Sequence, residues 1–210
     1  MYRSGHMRFY GNCSLILVGL LFLAGCGDIT GTDDESGSIL NAMITPTYFE
    51  EFTKQVDALM DLCETEGEDP QVEKFTDHLA TIVFTNRPWP NGEDQTASTV
   101  YLERYTITYA AARSGLPNLD ATEFALQSTL EIPACLPDEE PCAGTSYDGF
   151  TFVDIGTKDE YLAKGGDPFV QGRYNVVYTF YGHNIFGKEV SFKGSSDFVI
   201  LDYDYCDEAS

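Results

Sequence analysis

Carboxylates are the most abundant side chains here that could do chemistry. The 210-residue sequence carries 34 Asp and Glu against 12 Lys and Arg. The acids gather in clusters at Asp33-Asp34-Glu35, Asp138-Glu139-Glu140, Asp159-Glu160, and Asp202, Asp204, Asp207 and Glu208. Calcium takes about six to eight oxygen ligands, and two carboxylates across a cleft can cleave glycosides. The spacing matches no calcium-loop motif. Binding of calcium or a small ligand through the acidic loops is therefore kept only as the alternative to the main functional expectation.

Histidine offers little for nucleophilic catalysis. Beyond the N-terminal leader the chain has only His78 and His183. His78 begins a predicted strand and His183 lies in a predicted turn, so we expect both at the surface. The sequence also contains no Gly-x-Ser-x-Gly, His-Glu-x-x-His, phosphate-binding glycine loop or haem-attachment motif. We therefore expect no enzyme activity, no metal and no cofactor, and an uncharacterised hydrolase is the least favoured alternative.

One loop has the composition of a contact site. Arg87, Trp89 and Asn91 belong to the run Arg-Pro-Trp-Pro-Asn-Gly at residues 87–92. Prolines on both sides of Trp89 reduce the ordering entropy that binding costs, and Trp and Arg are frequent binding hot spots. The other interpretation is that Trp89 caps the open end of the fold, since tryptophan is usually buried.

The N-terminus has the pattern of an export signal. Arg3 and Arg8 precede an almost wholly apolar run from Cys13 to Ala24. The run is shorter than the roughly 20 residues that a transmembrane helix needs. A basic start followed by such a run predicts a secretory signal.

The end of this leader, Leu23-Ala24-Gly25-Cys26, resembles the lipobox of bacterial lipoproteins. The resemblance implies a signal peptide over residues 1–25 and a lipid-modified Cys26 as the first mature residue. Several acyl chains on one residue would hold the protein stably on a membrane. Gly27, not Asp, follows the cysteine, which favours the outer over the inner membrane.

The mature chain is strongly acidic. Residues 26–210 contain 10 Lys and Arg against 34 Asp and Glu, a net charge of −24. Nucleic-acid binding requires a basic face, so we exclude it. Four cysteines remain beyond Cys26, namely Cys63, Cys135, Cys142 and Cys206. An even set in an exported chain indicates disulfides, of which three pairings are possible.

The remaining sequence predicts a flexible tether over residues 26–46 and one domain over residues 47–210. Residues 47–63 fit both a helix and a strand, and we favour a strand over 54–62. Further strands are predicted over residues 78–86, 99–110, 123–132, 149–155, 172–182 and 189–205, which are rich in β-branched and aromatic residues between turn clusters. Seven strands without a βαβ unit predict an all-β, antiparallel sandwich with long loops.

Two segments resemble fibronectin type III domains, which have an immunoglobulin-like fold. Tyr105-Thr-Ile-Thr-Tyr109 is similar to their third strand, and 174–187 is similar to their sixth strand and the turn that follows. The resemblance implies that Tyr174 has a buried ring and a backbone-bonded hydroxyl. Trp89 departs from the pattern, because flanking prolines do not fit a central strand.

This topology bears on the cysteines and on function. The first and last strands of such sandwiches run side by side, which implies the pairs Cys63–Cys206 and Cys135–Cys142. We expect a non-enzymatic, lipid-anchored envelope protein that acts as a binding or assembly module with an envelope protein partner.

Overall fold

The computed structural model describes residues 38–48, 51–63, 71–88, 97–135, 142–203 and 205. These contain seven long strands: β1 (Ser38–Tyr48), β6 (His78–Pro88), β7 (Val100–Ala111), β8 (Thr122–Ile132), β9 (Thr145–Val153), β10 (Gly172–Asn184) and β11 (Glu189–Leu201). Four short strands are β2 (Glu51–Phe52), β3 (Gln55–Asp57), β4 (Leu62–Cys63) and β5 (Gln71–Val72). One helix, α1, spans Ile155–Ala163.

Two β-sheets form a sandwich-like arrangement. One has the strand order β2-β1-β6-β9, and the other has the order β3-β11-β10-β7-β8. The paired strands within both sheets are antiparallel, except that β3 runs parallel to β11. β4 and β5 form a separate ribbon. The prediction of an all-β, mainly antiparallel protein is therefore confirmed.

The core between the sheets is largely aromatic. In β10, the alternate residues Tyr174, Val176, Tyr178 and Phe180 are fully buried, as the two-residue period of a strand requires. Phe84 of β6 meets Phe180 edge to face, with ring centroids 5.0 Å apart. Such pairs contribute about 0.5–1.5 kcal/mol beyond their burial, so this contact helps to join the sheets.

The sandwich has two ends, which carry different loops. At the near end β1 begins with Ser38 opposite Pro88, and β10 turns into β11. At the far end β1 stops at Tyr48, β6 starts at His78, and α1 connects β9 to β10. We call these the near end and the far end of the sandwich.

The structure corrects the predicted tether. Strand β1 covers residues 38–48, so residues 38–46 belong to the sandwich and not to a flexible segment. Leu40, Ala42 and Ile44 point into the core. Pro46 had suggested a loop, yet β2 pairs with only the last two residues of β1, so most of β1 lies at a sheet edge, where proline is tolerated.

Two other segments also differ from prediction. The strand predicted over residues 54–62 is limited to Gln55–Asp57, although it does lie parallel to the last strand. The strand predicted over 149–155 is instead Thr145–Val153, and the unpredicted helix α1 follows it. Asp154 ends the strand because its side chain caps the helix, accepting a hydrogen bond from Thr157 N at 2.6 Å.

The disulfide between Cys135 and Cys142 is confirmed, with a Cα–Cα distance of 5.7 Å. It closes the loop between β8 and β9 at the near end. Cys63 is also disulfide-bonded. Its pairing with Cys206 stays a prediction, because Cys206 lies outside the described residues. Within the residues that the structure describes, no helix is long and apolar enough to span a bilayer.

Candidate functional site

Buried polar side chains gather at the far end, close to α1 and the first residues of β6. We call Tyr48, Asp57, Glu73, His78 and Lys158 the polar cluster. Each of these residues is at most 5% exposed. Charged residues are almost never buried so fully unless they are paired, so the contacts of these groups decide what the cluster can do.

Lys158 brings a positive charge from α1 into the interior. Its Nζ donates a hydrogen bond to the carbonyl oxygen of Thr76 at 2.8 Å and lies 4.0 Å from the ring centroid of Phe75. Asp77 holds the start of the helix, because its Oδ1 accepts from Ile155 N at 2.8 Å. Burial lowers the pKa of Lys158 to about 8, although Asp57 and other nearby acids oppose the shift.

Asp57 and Glu73 join three separate segments of the chain. Asp57 Oδ1 accepts from the backbone N–H of Tyr203 at 3.1 Å. Glu73 accepts from Asp61 N and from Tyr205 N, both at 3.1 Å. Glu73, which follows β5, thereby holds both the segment after β3 and the C-terminal segment. Asp57 adds a second bond from β3 to the C-terminal segment.

The Glu73 carboxyl group is close enough to that of Asp57 to affect its titration. Burial, with the Glu73 charge as a smaller cause, raises the pKa of Asp57 to about 7. No group in the described residues donates a hydrogen bond to Asp57 Oδ2.

His78 is buried and electrically neutral. Its ring stacks on that of Tyr48, with centroids 4.0 Å apart and an angle of 17°. Burial, assisted by the Lys158 charge, lowers the pKa of His78 to about 3. The expectation that His78 lies at the surface is therefore wrong, because the stacking contact draws the first residue of β6 into the core.

The polar cluster is arranged to hold structure. Its side chains form hydrogen bonds with backbone groups of the segment after β3, the segment between β5 and β6, and the C-terminal segment, and little of any of them reaches solvent. A catalytic acid or base must come within about 3 Å of the atom it protonates or deprotonates. The cluster therefore fixes the far-end loops but offers a substrate little access to its titratable atoms.

The remaining predicted groups are not brought together. His183 is the residue before the last in β10, at the near end. Its Nδ1 lies 3.1 Å from Glu103 Oε1, so the two histidines occupy opposite ends of the sandwich. Asp159 and Glu160 lie in α1, and Glu160 pairs with Lys164. The described residues contain no group of three or more His, Cys, Asp or Glu side chains that could hold a metal ion.

Several predicted residues fall outside the described part of the chain. These are Cys26, Cys206, Trp89, Asn91 and the acidic runs at residues 33–35, 138–140, 204 and 207–208. Arg87 is described: it lies near the end of β6, where it pairs with Ile39, and its part in a contact loop stays a prediction. The strand continues to Pro88 because β1 offers a partner along its whole length.

Exposed apolar side chains mark a surface at the far end. Met60, Leu62, Val72, Phe169 and Val170 are 57%, 59%, 59%, 72% and 47% exposed, and we call them the far-end strip. Leu62 and Val72 are paired across the β4–β5 ribbon. The far-end strip was not predicted from the sequence, because exposed large apolar side chains are not expected in turns and short ribbons.

Backbone contacts connect the members of the far-end strip. Asp202 N donates to the carbonyl oxygen of Pro168 at 2.7 Å, which places the chain before Phe169 against the C-terminal segment. Tyr203 N then bonds to Asp57, and Asp61 lies between Met60 and Leu62. Hydrogen bonds to Asp57 and Glu73 of the polar cluster therefore help to connect the segments that carry the strip.

Comparisons with known proteins give no family. No protein-family model matches the chain, and no curated protein does. A distant likeness connects it to the solution structure of AT1g01470 from Arabidopsis thaliana, with 12% sequence identity and a TM-score of 0.37 over 72% of this chain and 83% of that one. That likeness is too remote to carry an argument about function.

Proposed function

We propose that the protein is a non-enzymatic, lipid-anchored envelope protein that binds a protein partner through its far-end strip. The anchor is Cys26, by its likeness to a lipobox. The observation that carries the binding role is the set of five large apolar side chains exposed on one hydrogen-bonded framework. Exposed apolar groups gathered on a folded surface mark interaction sites.

The position of the strip suits an anchored protein. Residue 38 starts the sandwich at the near end, so a lipid on Cys26 holds that end toward the membrane. The far end then points away from the bilayer, where a partner in the envelope can reach it. Aromatic side chains dominate the energetics of many interfaces, and Phe169 is the most exposed member of the strip.

We further propose that the sandwich is of the immunoglobulin-like, fibronectin type III kind. In immunoglobulin-like domains the first, second and fifth strands share a sheet, and the third, sixth and seventh share the other. The long strands β1, β6 and β9, and β7, β10 and β11, divide in this way. Tyr174 is fully buried, although its hydroxyl donates at 2.8 Å to Pro117 O of the β7–β8 loop, and not to a residue just upstream.

Replacing Phe169 by serine should abolish partner capture. Purified protein would be incubated with detergent-solubilised envelope membranes, and bound proteins would be identified by mass spectrometry. Loss of one aromatic hot spot costs about 2 kcal/mol or more, so we expect capture to fall more than about tenfold. Phe186→Ser is the matched control, because Phe186 is equally apolar and exposed but lies at the near end.

The capture experiment can give three results, of which one supports the proposal and two contradict it. Recovery of the same protein by the wild type and by F186S, but not by F169S, supports the proposal. Equal recovery by both variants means that the far-end strip is not the binding surface. Failure of the wild type to retain any envelope protein contradicts the binding role itself.

A further inference from the structure

The turn between β10 and β11 presents two large apolar side chains at the near end. Ile185 is 54% exposed and Phe186 is 80% exposed. Asn184 fixes this turn, because its Oδ1 accepts from the backbone N–H groups of Phe186 and Lys188, both at 3.0 Å. Gly187 has φ = 76°, a conformation that glycine adopts without strain. We call Ile185 and Phe186 the near-end tip.

Among the described residues, the hydrogen bonds that build this turn use neither the Ile185 nor the Phe186 side chain. The turn is built by Asn184 and by Gly187, whose N–H donates to Asn184 O at 2.9 Å, so polar residues at positions 185 and 186 would serve as well. Burying a large apolar side chain contributes about 1.5–3 kcal/mol relative to leaving it exposed. A rigid turn that exposes two such groups side by side is therefore suited to enter an apolar phase.

The tip lies beside the point where the N-terminal segment joins the sandwich. Ile185 N donates to the carbonyl oxygen of Thr99 at 3.2 Å. The neighbouring residue, Ser98, donates its N–H to Ser38 Oγ at 3.4 Å. Two hydrogen bonds through adjacent residues therefore connect the tip to the first residue of β1.

The chain between Cys26 and Ser38 limits how far the tip can be from an anchor. Cys26 and Ser38 are joined by the chain of residues 27–37. Its fully extended reach is about 40 Å. A lipid on Cys26 would thus keep the start of the sandwich, beside the near-end tip, within about 40 Å of the bilayer surface.

We propose that Ile185 and Phe186 insert into the lipid surface as a second membrane contact. This inference rests on the proposed lipid anchor at Cys26. Aromatic rings favour the membrane–water interface, and an added apolar contact strengthens an acyl anchor. Charges of both signs lie beside the tip, because Lys188 and Glu189 follow it in the chain and Glu103 lies 3.1 Å from His183, so the test uses a zwitterionic lipid surface, to which apolar insertion is the main attraction.

The test places a fluorescent probe at the tip of the full acylated chain. Trp89 is the sole tryptophan, so W89F provides a silent background. F186W and, as the matched control at the far end, F169W would be bound to phosphatidylcholine vesicles with brominated acyl chains. We expect the F186W indole to lose at least about half of its fluorescence at the interface, and the F169W indole to keep its fluorescence.

The outcomes distinguish this inference from the anchor on which it rests. If the acylated protein floats with vesicles but F186W is not quenched, the tip does not insert, although the anchor holds. Equal quenching of F186W and F169W also overturns the inference, since contact would not be confined to the near end. If the mature protein carries no acyl chain and does not float, the anchor and the inference fall together.

Discussion

Replacing Phe84 with alanine is expected to lower the free energy of unfolding by about 4 kcal/mol. Phe84 is 1% exposed and packs edge to face against Phe180 of the opposite sheet and against Phe150. Removing its ring would leave a cavity between the sheets that the surrounding aromatic side chains can fill only in part. The loss of buried apolar surface and the loss of ring contacts both lower the free energy of unfolding.

Phe186→Ala is the matched control for this change. The Phe186 side chain is 80% exposed, so the same substitution should alter the free energy of unfolding by no more than about 0.5 kcal/mol. Urea denaturation of both variants with the disulfides intact measures the difference. Similar losses for the two variants would contradict both the packing of the sandwich and the exposed position of the near-end tip.

Asp57→Asn is expected to stabilise the protein by about 2 kcal/mol at pH 8 and to have little effect at pH 4. The pKa of Asp57 is about 7 in the folded protein against an ordinary value of 3.8. Between these values the folded protein keeps a proton that the unfolded chain releases. Asp57 therefore favours folding most below pH 4, and that contribution declines as the pH rises to 7.

The asparagine can keep the hydrogen bond from Tyr203 N, and it removes the buried negative charge beside Glu73. Its carbonyl oxygen can still accept from Tyr203 N, as Asp57 Oδ1 does, and its amide can donate to Glu73. Lys158 loses one of several nearby acids, which offsets part of the gain and is included in the expected value.

Urea titrations of the wild type, D57N and D159N from pH 4 to pH 8 test this prediction. Asp159 is exposed on α1, so D159N should follow the wild-type pH dependence. The D57N curve should be flatter and should cross above the wild type as the pH rises. A D57N variant that is less stable than the wild type at pH 8 would show that the ionised carboxylate is favourable, contrary to the contacts of the polar cluster.

Much of the sandwich could be predicted from the sequence, because its long strands carry two-residue periodicity. In residues 123–132 the apolar Phe124, Leu126, Leu130 and Ile132 alternate mostly with polar residues, a pattern that predicts one inward face, and Ile132 is buried while the others pack against the core. The strands β6, β7, β10 and β11 begin within a residue of their predicted positions. Alternating β-branched and aromatic residues between turn clusters were a sufficient signal there.

The first strand was missed although its pattern was present. Leu40, Ala42 and Ile44 alternate with Ile39, Asn41 and Met43, but Pro46 and the polar run before Ser38 suggested an extended tether. Proline destabilises a strand only where its missing backbone N–H would have donated a hydrogen bond to a neighbouring strand. Whether Pro46 has such a neighbour is known only from the sheet order, in which β2 pairs with just the last two residues of β1.

Helix α1 and the polar cluster could not be predicted for a different reason. The inward side of α1 carries Thr157, Lys158 and Tyr161, so a lysine occupies a position where helical periodicity requires an apolar residue. Asp154 as an N-cap and Gly165 after the last turn, with φ = 85°, were the available signals. Lys158 meets Asp57 and Glu73 only through tertiary packing, which no local pattern records.

The mass of the N-terminal peptide of the mature protein, purified from bacterial membranes, tests most directly whether this sandwich is a lipid-anchored module. The account predicts a peptide that begins at Cys26 and carries acyl chains. C26S should lose the acyl chains and the membrane association, whereas C13S, altered only in the leader, should keep both. A wild-type peptide that begins at another residue, or an unmodified Cys26, would contradict the account.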